Sequence, residues 1–194
     1  MLCFIKNNIF SILSILISIS SLSITLLNLY INRKRLDVVI EDSLDKIDDI
    51  YTNYFEYQNQ DPSLNFGNGK VCFIKVVNSS PKDIAFFDLR VVDLDSMKPL
   101  FFLSSAVLEL TNLTNEKIFY GSDNVMAKVN IPYSTYGIFK SNSFTRLDIP
   151  FYPTETTTKV LVSFKVAISS IKSNKEAGYR RKFRYYKKTF IISP

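Results

Sequence analysis

The amino-acid sequence predicts a mainly β protein in which an N-terminal transmembrane α-helix is followed by an antiparallel β-sandwich. Two observations support this prediction. The first is a run of 23 uncharged residues from Ile9 to Ile31, of which 14 are Ile, Leu or Phe. The second is a series of short segments beyond Lys70 that are rich in Val, Ile, Phe and Tyr and separated by turn-forming residues.

The uncharged run is long enough to cross a membrane. At about 1.5 Å per residue, an α-helix of this length spans roughly 35 Å, whereas the hydrocarbon core of a bilayer is about 30 Å thick. A cleaved signal peptide is an alternative, with Lys6 as its basic start and Ser18-Ile19-Ser20 as its cleavage site. A buried core helix is a second alternative. The apolar run continues eleven residues past Ser20, which favours an uncleaved anchor.

Basic residues that flank the run predict its orientation. Arg33, Lys34 and Arg35 follow it directly, whereas Lys6 and the α-amine precede it. Cytoplasmic flanks of membrane helices carry an excess of Lys and Arg. The sequence therefore predicts a single-pass protein of the cell membrane, with the C-terminal domain in the cytoplasm rather than outside the cell.

Small polar residues recur along one side of the predicted helix at alternating steps of three and four. They are Ser11, Ser14, Ser18, Ser21, Thr25 and Asn28. In lipid, small and hydroxyl residues let two helices approach closely, so this stripe predicts a homo-oligomer or a complex with a partner membrane protein. The alternative is that each hydroxyl bonds its own helix and has no partner.

The segment after the span contains a predicted strand and a predicted short helix. Leu36–Glu41 is predicted to form the first strand. Leu44, Ile47 and Tyr51 then recur at helical spacing, which predicts a short amphipathic helix near residues 44–57 with an acidic outer face. Residues 58–69 are polar and predict a loop that ends in the turn 67–69.

The remaining sequence predicts the sandwich itself. Its expected strands are 71–77, 84–94, 100–103, 118–120, 125–131, 145–151, 159–168 and 179–192, the last two forming a hairpin. Strands at this spacing without intervening helices predict an immunoglobulin-like sandwich, with a jelly roll or barrel as alternatives. The expected organisation is an N-terminal flank (1–8), the transmembrane helix (9–31), a basic stop with a strand and an acidic helix (32–68), and the sandwich (69–194).

Composition excludes several classes of enzyme. The chain has no His, two Cys and five Gly. It therefore has no histidine for a catalytic triad or a zinc site and no glycine-rich phosphate loop. We expect no metal, no cofactor and no enzymatic activity, although any two carboxylates can meet in space; Asp93 and Asp95 fit a turn better. Cys72 lies in an apolar segment and is expected in the core.

The net charge of +6 is unevenly distributed. Residues 36–61 carry −7 and residues 172–194 carry +7. On the last predicted strand, Arg180, Lys182, Arg184 and Lys188 share one face and form a candidate basic surface. Such a surface could bind nucleic acid or anionic lipid. The favoured interpretation is that it protects a sheet edge or pairs with the acidic segment.

The chain resembles uncharacterised single-span membrane proteins of low-GC Gram-positive bacteria that carry a C-terminal β-sandwich. The resemblance rests on residues 9–35 and on the pattern Val71-Cys72-Phe73-Ile74-Lys75-Val76-Val77-Asn78 followed by 84–94. It carries no catalytic residues over. The span and the sandwich together predict a membrane-anchored interaction module. The alternatives are a membrane-tethered protein that binds nucleic acid or anionic lipid, for example in phage defence or plasmid functions, and an exported surface domain.

Overall fold

The structure of the chain is a computed structural model that describes residues 8–52, 63–110, 118–122, 125–169 and 182–192. Two helices and eleven strands are present in these ranges. The helices are α1 (Ile9–Ile31) and α2 (Ser105–Leu110). The strands are β1 (Asp37–Ile40), β2 (Asp45–Thr52), β3 (Ser63–Asn78), β4 (Ile84–Asp93), β5 (Lys98–Leu100), β6 (Ile118–Ser122), β7 (Val125–Val129), β8 (Gly137–Phe139), β9 (Ser143–Phe151), β10 (Lys159–Ser169) and β11 (Phe183–Ile191).

The first sheet is built around the long strand β3. β9 pairs antiparallel with one edge of β3 over nine residues, from Lys70↔Phe151 to Asn78↔Ser143. β1 and β2 share the opposite edge end to end, β1 beside residues 74–77 and β2 beside residues 63–71. β6 and β7 then extend the sheet beyond β2.

The second sheet has the order β11-β10-β4, and the short strands β5 and β8 share the far edge of β4. All of its pairings are antiparallel. The mainly β class, the antiparallel sheets and the pairing of the last two predicted strands are therefore confirmed. The immunoglobulin-like character of the sandwich stays a prediction.

Both sheets contribute to one hydrophobic core. Alternate residues of each strand enter it, because successive side chains of a strand point to opposite faces. The first sheet supplies Cys72, Ile74, Val76, Leu147, Ile149 and Phe151, and the second supplies Ile84, Phe86, Leu89, Val91, Val160, Val162, Phe164, Val166 and Phe190. The rings of Phe86 and Phe139 stack within it at 4.7 Å.

A second, smaller core lies on the other face of the first sheet. Val71 and Phe73 of β3 pack there with Ile47 and Ile50 of β2, and α2 covers them through Leu108. β3 is thus buried on both faces at its middle, which explains the continuous apolar run Val71–Ile74. A strand covered on one side would alternate with polar residues instead.

The predicted amphipathic helix near residues 44–57 is wrong, since residues 45–52 form strand β2. Ile47 and Ile50 are both fully buried although they are three residues apart. The register of β2 against β3 shifts between Ile47 and Asp49, so the two isoleucines face the same core. The bulge imitates helical spacing in the sequence. Residues 53–57 of the predicted helix lie outside the described residues.

The predicted turn at residues 67–69 is wrong as well, since these residues lie within strand β3. Ile47 pairs with Gly69 and Asp49 pairs with Asn65, so the extra residues of the bulge lie on β3. Gly67 has a φ of 55°, a left-handed conformation that glycine adopts without steric cost. The glycine that suggests a turn in the sequence therefore supports an irregularity inside a long strand.

Smaller differences concern the segment between β4 and β9. The predicted strand 100–103 is displaced, since β5 ends at Leu100 and Phe102 only forms an isolated bridge to Phe151. The sequence predicts neither α2 nor β8.

Candidate functional site

The first candidate site is α1, which lies outside both cores. None of its residues is buried, and large apolar side chains such as Leu29 are well over half exposed. The alternative of a buried core helix is therefore wrong. By length and composition α1 can cross a membrane, a description that an N-terminal signal sequence also meets.

Two hydroxyls of the polar stripe hydrogen-bond within their own helix. The Ser18 hydroxyl donates to the carbonyl of Ser14 at 2.8 Å, and the Thr25 hydroxyl donates to the carbonyl of Ser21 at 2.9 Å. Ser20 and Ser23, which lie off the stripe, make the same type of bond. These two hydroxyls therefore bond as those of the two serines off the stripe do, and the stripe is distinguished by the position of its small residues.

The two remaining stripe residues lie near the ends of α1. Ser11 is exposed in its first turn. The Asn28 carbonyl accepts hydrogen bonds from both the backbone and the side-chain N–H groups of Asn32, each at 2.9 Å. Asn32 is thus the C-cap of α1, and its side chain bonds the backbone oxygen of Asn28.

The C-terminal end of α1 carries an aromatic and a basic residue in contact. The guanidinium carbon of Arg35 lies 4.6 Å from the centre of the Tyr30 ring, a cation–π distance. Tyrosine and arginine are both favoured where a membrane meets water. This pair suits the edge of a bilayer.

A short connection joins α1 to the β domain. Leu36 is already buried in the main core, only five residues after Ile31. The Lys34 ammonium, which belongs with Arg33 and Arg35 to the predicted topology-setting cluster, donates to the carbonyl of Ala167 at 3.2 Å. The β domain therefore starts immediately beyond the helix.

The second candidate site is the basic surface of β11, and the structure places its residues in different settings. Arg180 lies outside the described residues. Lys182 and Arg184 are exposed, and the Arg184 guanidinium donates to the Tyr186 hydroxyl at 3.3 Å. The Lys188 side chain is only 26% exposed. The three described residues, Lys182, Arg184 and Lys188, therefore do not form one continuous free surface.

Lys188 and Tyr186 bind the chain around β1. The Lys188 ammonium donates to the carbonyl of Ile40 at 2.9 Å and forms an ion pair with Asp42. The Tyr186 hydroxyl donates to the carbonyl of Leu36 at 3.3 Å. The Lys188 hydrogen bond and charge hold the pKa of the Asp42 carboxyl below its usual range. Lys188 thus pairs within the molecule with the acidic segment.

A third candidate, which sequence reasoning missed, is a depression of about 520 Å³ on the outer face of the second sheet. Its polar part contains Asp88, whose carboxylate pairs with Arg90 and with Lys165 at 2.7 Å. The rest of its lining is Val92, Leu94, Met97, Pro99, Leu161, Ser163 and Tyr185. The only sequence signal is Lys165, a charged residue inside an apolar strand.

Backbone geometry at Asp88 shapes this cluster. Asp88 has a φ of 60°, in the left-handed region, and the pairing of β4 with β10 shifts register between Ser163 and Lys165. Burial raises the pKa of Asp88, but the hydrogen bonds from Arg90 and Lys165 outweigh burial and leave it below the ordinary value. The bulge thus places an ionised carboxylate over a lysine whose side chain is only 8% exposed.

Asp93 and Asp95, the two aspartates predicted to lie in a turn, accept hydrogen bonds from neighbouring residues. Asp93 accepts hydrogen bonds from the backbone of Asp95 at 2.8 Å and from the Ser96 hydroxyl at 2.7 Å. Asp95 accepts from the backbone N–H groups of Thr158 and Lys159 at 2.6 and 3.0 Å. Both carboxylates have a pKa below the ordinary value because of these bonds. In the described part of the chain, no three His, Cys, Asp or Glu side chains group as metal ligands.

Cys72 and Asn78 are both buried. Burial raises the pKa of the Cys72 thiol to about 12, so it is protonated and unreactive at neutral pH. The Asn78 side-chain amide donates to the carbonyls of Lys82, Phe139 and Lys140 at 2.9–3.0 Å. Asn78 therefore joins the loop after β3 to the loop after β8.

Comparison of the chain with protein-family models, with curated proteins and with solved structures gives no match.

Proposed function

We propose that the chain is a single-pass membrane protein that uses its β domain as an interaction module and has no catalytic role. One observation carries this proposal: an uncharged helix of 23 residues lies wholly outside the cores, and a buried β-domain residue follows it five positions later. Apolar side chains of this number are stable outside the protein only when lipid surrounds them. The β domain is then held at the membrane surface.

The polar stripe of α1 supports self-association within the membrane. Ser14, Ser18 and Ser21 lie on one side of a helix in which no residue is buried. The Ser18 hydroxyl is already bonded within its own helix. All three side chains are small, so a second helix can approach this side closely. A second copy of α1, or a partner's transmembrane helix, is the proposed occupant.

A transmembrane oligomerisation reporter tests this assembly with matched variants. We expect Ser18→Leu with Ser21→Leu to reduce the oligomer signal several-fold, since leucine keeps two backbones apart. The control is Ser20→Leu with Ser23→Leu, which adds the same bulk off the stripe. Equal signals from both double variants would contradict assembly through the stripe and leave the anchor in place.

The alternative of a membrane-tethered nucleic-acid-binding protein has weaker support. It relies on the basic face of β11, and Lys188 on that face already binds Ile40 and Asp42. Lys182 and Arg184 remain exposed. Binding of the detergent-solubilised chain to DNA or RNA at low salt, lost at high salt, would favour this alternative.

A further inference from the structure

The two ends of the β domain differ in charge. The end nearest α1, called here the membrane-proximal end, is formed by the connection 32–36, the loops 79–83 and 140–142, and the start of β11. The pairing Asp37↔Val77 places the ends of β1 and β3 together there, and Asn78↔Ser143 adds the start of β9. Val166↔Arg184 places the start of β11 near the end of β10, where Lys34 binds.

Bases predominate at the membrane-proximal end of the described chain. Its basic residues are Arg33, Lys34, Arg35, Lys82, Lys140 and Lys182, and its acidic residues are Asp37 and Asp83. The Asp83 carboxylate is already bound, since it accepts from the backbone of Ser141 at 2.7 Å and pairs with Lys140 at 3.3 Å. The opposite end carries Asp42, Asp93, Asp95 and Glu155 against Lys70, Lys98 and Lys159.

The backbones of the two loops that carry Lys82 and Lys140 are joined by a buried side chain. Asn78 is 1% exposed, and its amide donates to the carbonyls of both Lys82 and Lys140. Its carbonyl oxygen accepts from the Ser80 hydroxyl at 2.6 Å. The Asn78 side chain therefore joins the backbones of the two loops, and both lysines lie at the same end of the domain.

Apolar side chains are exposed beside these bases. Val77 and Phe144 are neighbours across β3 and β9, and they are 42% and 62% exposed. A directly opposed pair lies on one face of a sheet, so the two side chains form one patch. Val39, 60% exposed, lies on the same face two residues beyond Asp37, the partner of Val77.

The short connection keeps this end close to the bilayer. Five Cα steps separate Ile31 from the buried Leu36, and a fully extended chain covers at most about 18 Å in that number of steps. The hydrogen bond from Lys34 to the carbonyl of Ala167 holds the connection against the β domain and shortens the distance that it can span. The membrane-proximal end is therefore within reach of lipid headgroups whenever α1 spans a membrane.

We propose that the membrane-proximal end of the β domain binds an anionic lipid leaflet, with Lys82 and Lys140 on headgroups and Phe144 at the interface. The inference rests on the proposed membrane anchor. Anionic headgroups attract lysine and arginine near the surface, and an exposed aromatic ring is stable at the same depth. This contact fixes the orientation of the domain, so that its opposite end faces the solvent.

Tryptophan reporters test the contact, because the chain contains no Trp. The full-length chain is placed in nanodiscs whose phosphatidylcholine is brominated, so that lipid contact quenches tryptophan emission. Phe144→Trp reports on the patch, and Ile191→Trp, an exposed site at the opposite end of β11, is the matched control. Leu22→Trp in the middle of α1 reports separately on the membrane span.

We expect Phe144→Trp to be quenched several-fold more strongly than Ile191→Trp in discs that contain phosphatidylglycerol. The quenching should weaken in about 1 M salt, because the Debye length falls to about 3 Å and the attraction between lysines and headgroups is screened. Lys82→Gln with Lys140→Gln should reduce the quenching of the Phe144→Trp reporter, whereas Lys98→Gln with Lys159→Gln at the opposite end should leave it unchanged.

The reporters separate the two proposals. Quenching of Leu22→Trp without quenching of Phe144→Trp would overturn lipid binding by the β domain and leave the anchor intact. Absence of quenching at Leu22→Trp would overturn the anchor and the inference that rests on it. Equal quenching of Phe144→Trp and Ile191→Trp would also overturn the inference, since it would show no preferred orientation.

Discussion

The Lys188 ammonium donates a hydrogen bond to the backbone carbonyl of Ile40, 2.9 Å away, and links the last strand of the fold to the first. Nearly the whole β domain separates these two residues in sequence. The same ammonium pairs with Asp42. The most basic strand of the chain therefore uses one of its charges to hold β1, the strand that follows the membrane helix.

The first prediction concerns this bond. Lys188→Met should lower the free energy of unfolding by about 1 kcal/mol, because the Ile40 carbonyl loses its donor while the aliphatic part of the side chain is kept. Denaturant unfolding of the full chain in detergent measures the change. Lys187→Met removes the same charge from an exposed position and should have little effect. Equal losses for both variants would indicate a general charge effect instead.

Sequence reasoning could identify the face of β11 and a pairing with the acidic segment, but not the backbone acceptors. The period of two assigns Lys188 and Tyr186 to one side of the strand, and the structure agrees. The opposing groups are backbone carbonyls of Leu36 and Ile40. Backbone carbonyls occur at every position, so no side-chain pattern in the sequence marks these two as the acceptors.

The second prediction tests the ion pair between Asp88 and Lys165. Asp88→Asn should lower the free energy of unfolding by about 2 kcal/mol, because it leaves a lysine that is only 8% exposed without its carboxylate. Lys165→Met should lower the free energy of unfolding by less than Asp88→Asn does. A double-mutant cycle should give a coupling energy of about 1 kcal/mol or more.

A surface pair provides the control for this cycle. Lys46 and Asp48 form an ion pair at 2.9 Å, but their side chains are 47% and 37% exposed. Their coupling energy should stay below about 0.5 kcal/mol because solvent screens the pair. Similar coupling energies for the two pairs would show that burial of Lys165 does not strengthen its interaction.

Strand β2 shows why local pattern misassigned one element. Ile47 and Ile50 match the period of a helix, and nothing near them in sequence reveals the bulge. The bulge depends on the pairing with Gly69 and Asn65 of β3, which follow after a separate segment. Strand β9, which pairs with β3 without a register shift, was predictable because its alternation is local.

The third prediction concerns pH. Asp95 has a folded pKa below its ordinary value, chiefly because the Thr158 backbone N–H and hydroxyl donate to it. A lowered folded pKa contributes stability above the unfolded pKa of about 4 and loses it as the pH falls further. Asp95→Asn should therefore destabilise the chain at pH 7, and the difference should shrink below about pH 4. A difference that is constant with pH would contradict this assignment.

The fourth prediction concerns Cys72. Burial raises the pKa of its thiol to about 12, so thiolate is scarce at pH 8. In the Cys3→Ser variant, a maleimide should label no cysteine in the folded chain and one cysteine after denaturation, as measured by mass spectrometry. Rapid labelling of the folded variant would show that the main core admits solvent at β3.

The fifth prediction concerns the side of the membrane on which the β domain lies. It depends on Cys72 being unreactive, so that an introduced cysteine is the thiol that is labelled. Met97 is 73% exposed at the end of the domain opposite α1, so Met97→Cys in the Cys3→Ser background provides one accessible thiol. Because three bases follow α1, we expect an impermeant maleimide to label this thiol only after the cells are permeabilised. The native Cys3, which precedes α1 in the chain, should be labelled in intact cells. Labelling of Met97→Cys in intact cells would place the domain outside and exclude a role on intracellular nucleic acid; loss of Cys3 from the mature chain would instead indicate cleavage of the N-terminal segment.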